Sequence, residues 1–272
     1  MCFRKVMIAV DFSEYSLSTL SYLDELKKAG MEEAIFIRVI NITKFGAVAG
    51  FDIDAWVEMQ EEESVKELED LVKKAEKCGV KAKFVYPIPV GDPVGEIVEA
   101  AKKENASLIM VASRGKSRLK EILLGSVSEG VIRKADRPVL LVKGKSNFRM
   151  FKKILYAHDL SEHSSKVVEY VKAGAIAGGR NVVLLHVEEG SESAELRVLD
   201  EIKEELRNAG IDVKLLIKRG TPHKVILKTA EEENATMIAM ASRGLSFIEG
   251  VILGSTTDVV TRRARVPVFV HK

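Results

Sequence analysis

Val111-Ala-Ser-Arg-Gly-Lys-Ser-Arg-Leu-Lys-Glu-Ile-Leu-Leu-Gly-Ser126 is the stretch that decides how this chain folds. It grows out of an apolar run at 107–112, which has the composition of a buried strand, and it leads into a helical pattern at 126–134. A strand, a glycine turn and a glycine at a helix start put free backbone N–H groups and the positive end of a helix dipole where an anion can sit. The same arrangement returns from Ala241 to Ser255. Nine residues separate Gly115 from Gly125, and nine separate Gly244 from Gly254.

The repetition extends outward in both directions. Phe3-Arg-Lys-Val-Met-Ile-Ala-Val-Asp-Phe-Ser-Glu14 matches Phe151-Lys-Lys-Ile-Leu-Tyr-Ala-His-Asp-Leu-Ser-Glu162, 148 residues later. Toward the other end of each half, Pro93, Gly125 and Pro138 match Pro222, Gly254 and Pro267, now 129 residues apart. The offsets differ by 19 residues, so the first half carries extra sequence, most of it in the segment 41–60. The chain is a duplication, with expected domains 1–143 and 151–272 joined by a short charged linker.

Each half alternates apolar runs with amphipathic ones. Strands are expected at 5–10, 34–40, 80–85, 108–112 and 138–142, and again near 152–157, 181–187, 211–217, 236–241 and 267–271. Between them the pattern predicts helices, including one from Asp11-Phe-Ser-Glu14 to about Gly30, one over 55–78 closed by Gly79, and one starting at Pro93. Strand–helix alternation means βαβ crossovers: a parallel sheet with helices on both faces. Ligands in such sheets bind beyond the carboxyl ends of the strands. Asp11 and Ala112 both fall there.

Composition narrows the rest. The 272 residues are 46% hydrophobic and 30% charged, with a net charge of +2, as in a globular protein without a global field for nucleic acid or an anionic membrane. No apolar run reaches the ~20 residues that span a bilayer, and Met1-Cys-Phe-Arg-Lys5 runs straight into the first strand without a signal peptide. Two cysteines, Cys2 and Cys78, make no disulfide framework and no Cys/His metal spacing. The expectation is a cytoplasmic protein with no nucleic-acid or membrane partner.

Gly-x-x-Gly, nine residues, then Gly-Ser, together with the Asp that follows the first strand, resembles the nucleotide motif of the universal stress protein family. The resemblance covers nearly the whole chain, twice. It implies an α/β fold of two Rossmann-like doubly wound domains, each a five-stranded parallel sheet of order 3-2-1-4-5. It also implies an adenine nucleotide (ATP, ADP or AMP, with or without Mg) at the carboxyl edge of each sheet. Asp11 and Val39 would meet the adenosine end, and Ala112 and Gly115 would pass the ribose and phosphates. Gly125, Ser126 and Val127 would hold phosphate oxygens. The second site would use Asp159, Val187, Ala241, Gly244, Gly254, Ser255 and Thr256, with Arg114 and Arg243 available to neutralise phosphate.

One departure from the family motif is its first glycine, which is alanine in both halves (Ala112 and Ala241). If the backbone there needs positive φ, alanine is strained by roughly 1–2 kcal/mol; in ordinary β geometry it costs little. Plainer readings stand beside the ligand. Asp11 and Asp159 suit helix caps, the two arginines suit solvated side chains, and His158 and His186 suit packed ones. No P-loop, Gly-x-Gly-x-x-Gly fingerprint or Gly-x-Ser-x-Gly elbow occurs, which favours a binding module over a catalyst. A nucleotide-independent interaction protein with vestigial sites and a slow ATP-hydrolysing or adenylate-handling enzyme remain as rivals.

Two further expectations concern surfaces. Phe45-Gly-Ala-Val-Ala-Gly-Phe51 in the extra segment is an apolar flap or contact, or a plain surface loop. In the 3-2-1-4-5 order the last strand of each half is an edge. Single-domain members of the family dimerise through it, so the resemblance implies an intramolecular pseudo-dimer through Val139, Leu141, Val268 and Val270. A homodimer of two whole chains is a further expectation.

Overall fold

The computed structural model describes residues 2–43, 52–113, 124–144, 149–188, 196–242 and 254–272. Its first half runs β1 (Lys5–Ala9), α1 (Glu14–Leu17), a 3-10 turn (Ser18–Tyr22), α2 (Leu23–Lys28), β2 (Glu33–Ile37), α3 (Ile53–Lys77), β3 (Lys81–Phe84), α4 (Pro93–Lys103), β4 (Leu108–Ala112), α5 (Ser126–Lys134) and β5 (Val139–Val142). The second runs β6 (Ile154–Ala157), α6 (Glu162–Ser165), α7 (Val168–Ala177), β7 (Asn181–Glu188), α8 (Arg197–Asn208), β8 (Asp212–Arg219), α9 (Pro222–Glu232), β9 (Met237–Ala241), α10 (Ser255–Arg263) and β10 (Val268–His271).

Among the described residues these strands form one ten-stranded sheet in the order β3-β2-β1-β4-β5-β10-β9-β6-β7-β8. Counted within its own half, each side has the order 3-2-1-4-5 and is parallel throughout. The single antiparallel pair is β5 with β10, where Val139 faces Val270, Leu140 faces Phe269 and Leu141 faces Val268. Strand residues alternate between two cores. Val6, Ile8, Ile154 and Tyr156 pack on one face with Leu26, Leu68, Leu71, Val171 and Leu206. Met7, Leu155 and Ala157 pack on the other with Ile97, Val131, Ile226 and Val260. Burial on both faces explains why these strands read as continuous apolar runs rather than alternating ones.

The expected helix from Glu14 to about Gly30 is broken into α1, the 3-10 turn and α2. Hydroxyls cause the break. Ser16, Ser18, Thr19 and Ser21 each donate to the carbonyl three residues back, at 3.0, 2.6, 2.6 and 2.7 Å. These bonds compete with the helical ladder and tighten the chain to 3-10. Elsewhere the caps behave as their residue types suggest. Asp52 and Asp92 accept from Ala55 N and Gly95 N at 3.0 and 3.1 Å, Pro93 occupies the first turn of α4, and Gly79 ends α3 at φ +71°.

Contacts between the halves come in related pairs. Glu129 on α5 accepts from Arg262 at 2.6 Å, and Asp258 on α10 accepts from Arg133 at 2.9 Å. Lys143 Nζ donates to the carbonyl of Thr261, and Lys272 Nζ to that of Ile132. Each bond has its counterpart 129 residues along the chain. Further contacts join the halves. Phe3 packs against Phe151, Tyr170 and Phe269, with centroids 5.9, 5.4 and 6.3 Å away. The buried Glu25 carboxylate accepts the N–H groups of Met150 and Phe151, each at 3.0 Å, where the second half enters.

Candidate functional site

The carboxyl ends of β1 and β4 lie side by side, because Ile8 pairs with Met110. This brings Asp11 and Ala112 to one edge of the sheet, with α5 starting beside them. The second half repeats the arrangement with β6, β9 and α10.

Asp11 organises the first loop. Its Oδ1 accepts Ser13 N–H at 3.0 Å and Ser13 Oγ–H at 2.6 Å. Asp159 Oδ1 likewise accepts from Ser161 N–H at 3.1 Å and Ser161 Oγ–H at 2.6 Å, and adds Ser164 Oγ–H at 2.6 Å. The N-caps of α1 and α6 are therefore Ser13 and Ser161. The reading of Asp11 and Asp159 as the caps themselves gives way, since each aspartate sits behind its cap and holds the cap in place. Between aspartate and serine, Phe12 and Leu160 are held at φ +57° and +67°. A non-glycine residue in that region is strained and is held there by its surroundings. That the same strain occurs twice marks this loop as built rather than incidental.

Ala112 and Ala241 end β4 and β9 in strand geometry, outside the left-handed region. The alanines that replace the motif's first glycine are thus unstrained. Gly125 and Gly254 have φ −64° and −65°, so positive φ does not explain them. At Gly254 close approach does. Gly125 N–H and Gly254 N–H donate to the carbonyls of Ser113 and Ser242 at 2.8 and 2.9 Å. A Cβ on Gly254 would stand 3.2 Å from the Ser242 carbonyl oxygen. A glycine N-cap has no side chain to satisfy the first helical N–H groups. Those of Ser126 and Val127, and of Ser255 and Thr256, therefore lead their helices with the dipole behind them. Ser126 and Ser255 are exposed, while Val127 and Thr256 are half-buried.

One pair of residues escaped the sequence reading. Ser128 Oγ donates to the carbonyl of Ala112, and Thr257 Oγ1 donates to that of Ala241 at 3.1 Å. These buried hydroxyls lock each helix start to the end of its strand. A hydroxyl residue at the same place in both halves was the available signal.

The two sites differ beside the aspartate. In the first, Arg38 lies 5.8 Å above the Phe12 ring, and its buried Nε has no hydrogen-bond partner. Burial lowers its pKa, and the nearby Asp11 opposes that shift. In the second, His186 Nδ1 is 2.9 Å from the His158 carbonyl and donates to it. His158 Nδ1 accepts Leu160 N–H at 3.0 Å, which leaves the proton on Nε2, 3.2 Å from Ser165 Oγ. Val39 is buried in the core and Val187 packs against it half-buried. Arg114, Gly115, Arg243 and Gly244 lie outside the described residues, as does the 45–51 stretch. Among the described residues no group of His, Cys, Asp and Glu could hold a metal ion, and no helix is long and apolar enough to cross a membrane.

The sequence pattern of the Universal stress protein family matches residues 3–143 and again 150–272. The chain belongs to the universal stress protein family. Universal stress protein MJ0577 of Methanocaldococcus jannaschii is 37% identical over 160 residues, which are 53% of this chain and 98% of that protein. Universal stress protein Slr1230 of Synechocystis is 21% identical and matches end to end, over 99% of this chain and 100% of its own. The crystal structure of a universal stress protein from Archaeoglobus fulgidus is 41% identical and superposes with a TM-score of 0.83, covering 99% of this chain and 97% of that one.

Burial pushes the His158 pKa down to about 4; Asp159 opposes the shift and His186 adds to it. The unfolded chain takes up that proton near pH 6.5, so stability is complete above that pH and falls as pH drops toward 4. Between about pH 7.5 and about pH 5 this group alone should cost about 2 kcal/mol. Urea unfolding at the two pH values checks it. In His158→Val, which installs the residue found at Val10, that share of the loss should disappear; an unchanged difference would mean another group is responsible.

Proposed function

We propose that this universal stress protein binds an adenine nucleotide at the carboxyl edge of each half, and that it acts in a stress or regulatory response as a binding protein. The reading treats 1–143 and 151–272 as two domains held as an intramolecular pseudo-dimer. The observation that carries it is the twice-built helix start at Gly125 and Gly254. There the leading N–H groups have no side-chain cap, and the helix is anchored from behind by Ser128 or Thr257. Phosphate suits such a place, because the dipole and the open N–H groups both favour an anion. Asp11 and Asp159, beyond the neighbouring strand ends, would receive ribose hydroxyls or the adenine amino group. The β5–β10 pairing and the related ion pairs of α5 and α10 support the pseudo-dimer.

Calorimetric titration of the whole chain with ATP and with AMP should give saturable binding at up to two sites. Gly254→Val places a branched carbon against the Ser242 carbonyl and the phosphate, and should weaken the second site at least ~10-fold, or about 1.4 kcal/mol. Gly125→Val should do the same at the first. Unchanged affinity in both variants, with circular dichroism reporting intact folds, would refute the assignment of these turns. A complete lack of binding by the unmodified chain would favour the nucleotide-independent reading.

A further inference from the structure

A cavity of about 710 Å3 opens at the amino ends of β9 and β10, at the opposite end of the strands from the proposed nucleotide edge. Its walls include Ala230, Glu231, Asn234 and Ala235 at the end of α9, Arg263 at the end of α10, and Arg265 and Val266 after it. The first half has the same backbone 129 residues earlier, with Ala101, Asn105 and Ala106 in matching places. Asn105 and Asn234 even share φ of +52° and +51°. There Arg137 plugs the gap. Its Nη1 donates to the carbonyls of Ala101 and Ala106 at 2.6 and 2.9 Å, and Nε and Nη2 donate to Asp136 at 2.8 and 3.2 Å. In the second half the matching residue is Val266, which has no donor. The carbonyls of Ala230 and Ala235 keep the same turn, since Ala235 N–H donates to Ala230 O at 2.9 Å just as Ala106 N–H donates to Ala101 O.

The carboxylate has also moved. Asp136 becomes Arg265, while Lys102 becomes Glu231. Arg265 is 80% exposed and pairs with Glu231 at 3.6 Å at the rim of the cavity. What remains is a recess with two carbonyl acceptors, the negative end of a helix dipole and the Glu231 carboxylate on its rim, where the exposed Arg263 and Arg265 also lie. The carbonyls and the carboxylate are the partners a planar cation with several N–H donors needs.

We propose that this cavity binds a guanidinium group, carried either by a small molecule or by an arginine side chain of a peptide. The internal repeat is the argument, because the same backbone already holds a guanidinium in the first half. The site lies apart from the nucleotide edge and does not depend on nucleotide binding.

The test is 15N–1H NMR of the full chain, titrated to about 50 mM with guanidinium chloride, with L-argininamide and with a blocked Ala-Arg-Ala peptide; a ceiling in this range suits a single weak contact. Sodium chloride and lysinamide serve as controls. Saturable shifts are expected at the amides of Asn234, Ala235 and Ala264. Shifts with all three probes identify a small-molecule guanidinium site, and shifts with the peptide alone identify a peptide arginine; both support the proposal. Val266→Arg restores the plug, and should weaken binding at least ~10-fold while raising Tm by about 3 °C. Val266→Met fills the space without a donor and should also weaken binding, which covers a folding failure of the first variant. Unsaturable shifts with every probe, equal binding of lysinamide, or shifts unchanged in the variants would each overturn the proposal.

Discussion

Expressed alone, residues 1–143 are expected to associate or to lose much of their stability. In the whole chain β5 is an interior strand, and Val139, Leu140, Leu141 and Val142 are at most 1% exposed. Without β10 its backbone donors and acceptors on one side face water, and a bare apolar edge templates pairing with another strand. Three cross-strand pairs go, at up to ~1 kcal/mol each. Part of the burial of four aliphatic side chains goes too, each worth ~1.5–3 kcal/mol when complete. The Phe3 cluster and the partners of Glu25 are lost with them. Together these put the isolated monomer roughly 5 kcal/mol below the intact chain, a large share of a typical domain's 5–15 kcal/mol. Two copies pairing β5 against β5 would recover most of this. Sedimentation should therefore show dimers, with urea unfolding dependent on protein concentration. A strictly monomeric half with the stability of the whole chain would show that β5 does not need a partner, and the pseudo-dimer would have to be abandoned. In the full chain, Leu141→Lys should reproduce the loss without truncation.

Much of this fold was legible because duplication writes each element twice. A strand guessed once from an apolar run is uncertain; the same run at 5–10 and 152–157, each followed by Asp-x-Ser-Glu, is not. Strand order is a different matter. Nothing in residue periodicity distinguishes 3-2-1-4-5 from other parallel orders, and that reading rested on the family resemblance. The break after Leu17 was missed because hydroxyl side chains bonding to carbonyls three residues back leave no mark on hydrophobic period. At the site, glycine opens the helix at the same place in both halves. Gly125 and Gly254 sit in extended geometry, and at Gly254 glycine is needed for close approach to the Ser242 carbonyl, a contact that only folding makes. Ser128 and Thr257 were passed over because a buried hydroxyl in a helix reads as neutral until its acceptor is known. Arg137 and Val266 carried the same lesson. The swap is plain in the aligned halves, yet its meaning depends on two carbonyls that only folding brings together.

Gly179→Ala is expected to destabilise the protein by roughly 3 kcal/mol or more, at the upper end of what overpacking costs. The residue follows α7, where the chain turns back toward β7. Gly179 N–H donates to the Phe151 carbonyl at 2.8 Å, and a Cβ there would lie 1.9 Å from the Lys152 carbonyl oxygen. That oxygen belongs to the backbone leading into β6, so it cannot swing aside as a side chain would. Gly178 is nearly as confined, with a Cβ 2.3 Å from the Phe151 carbonyl oxygen. The first half makes the corresponding turn differently. There Gly30 takes φ +103° with nothing within 4 Å of a Cβ, and the residue matching Gly179 is the buried Met31. Gly30→Ala should thus cost only the backbone strain of a left-handed alanine, roughly 1–2 kcal/mol. The two substitutions separate steric exclusion from conformational strain in one molecule. Urea unfolding of both variants should rank Gly179→Ala well below Gly30→Ala. An equal cost, or a near-neutral Gly179→Ala, would mean that the segment before β6 yields to the extra carbon. The close contact between the start of the second half and the end of α7 would then be softer than its geometry implies.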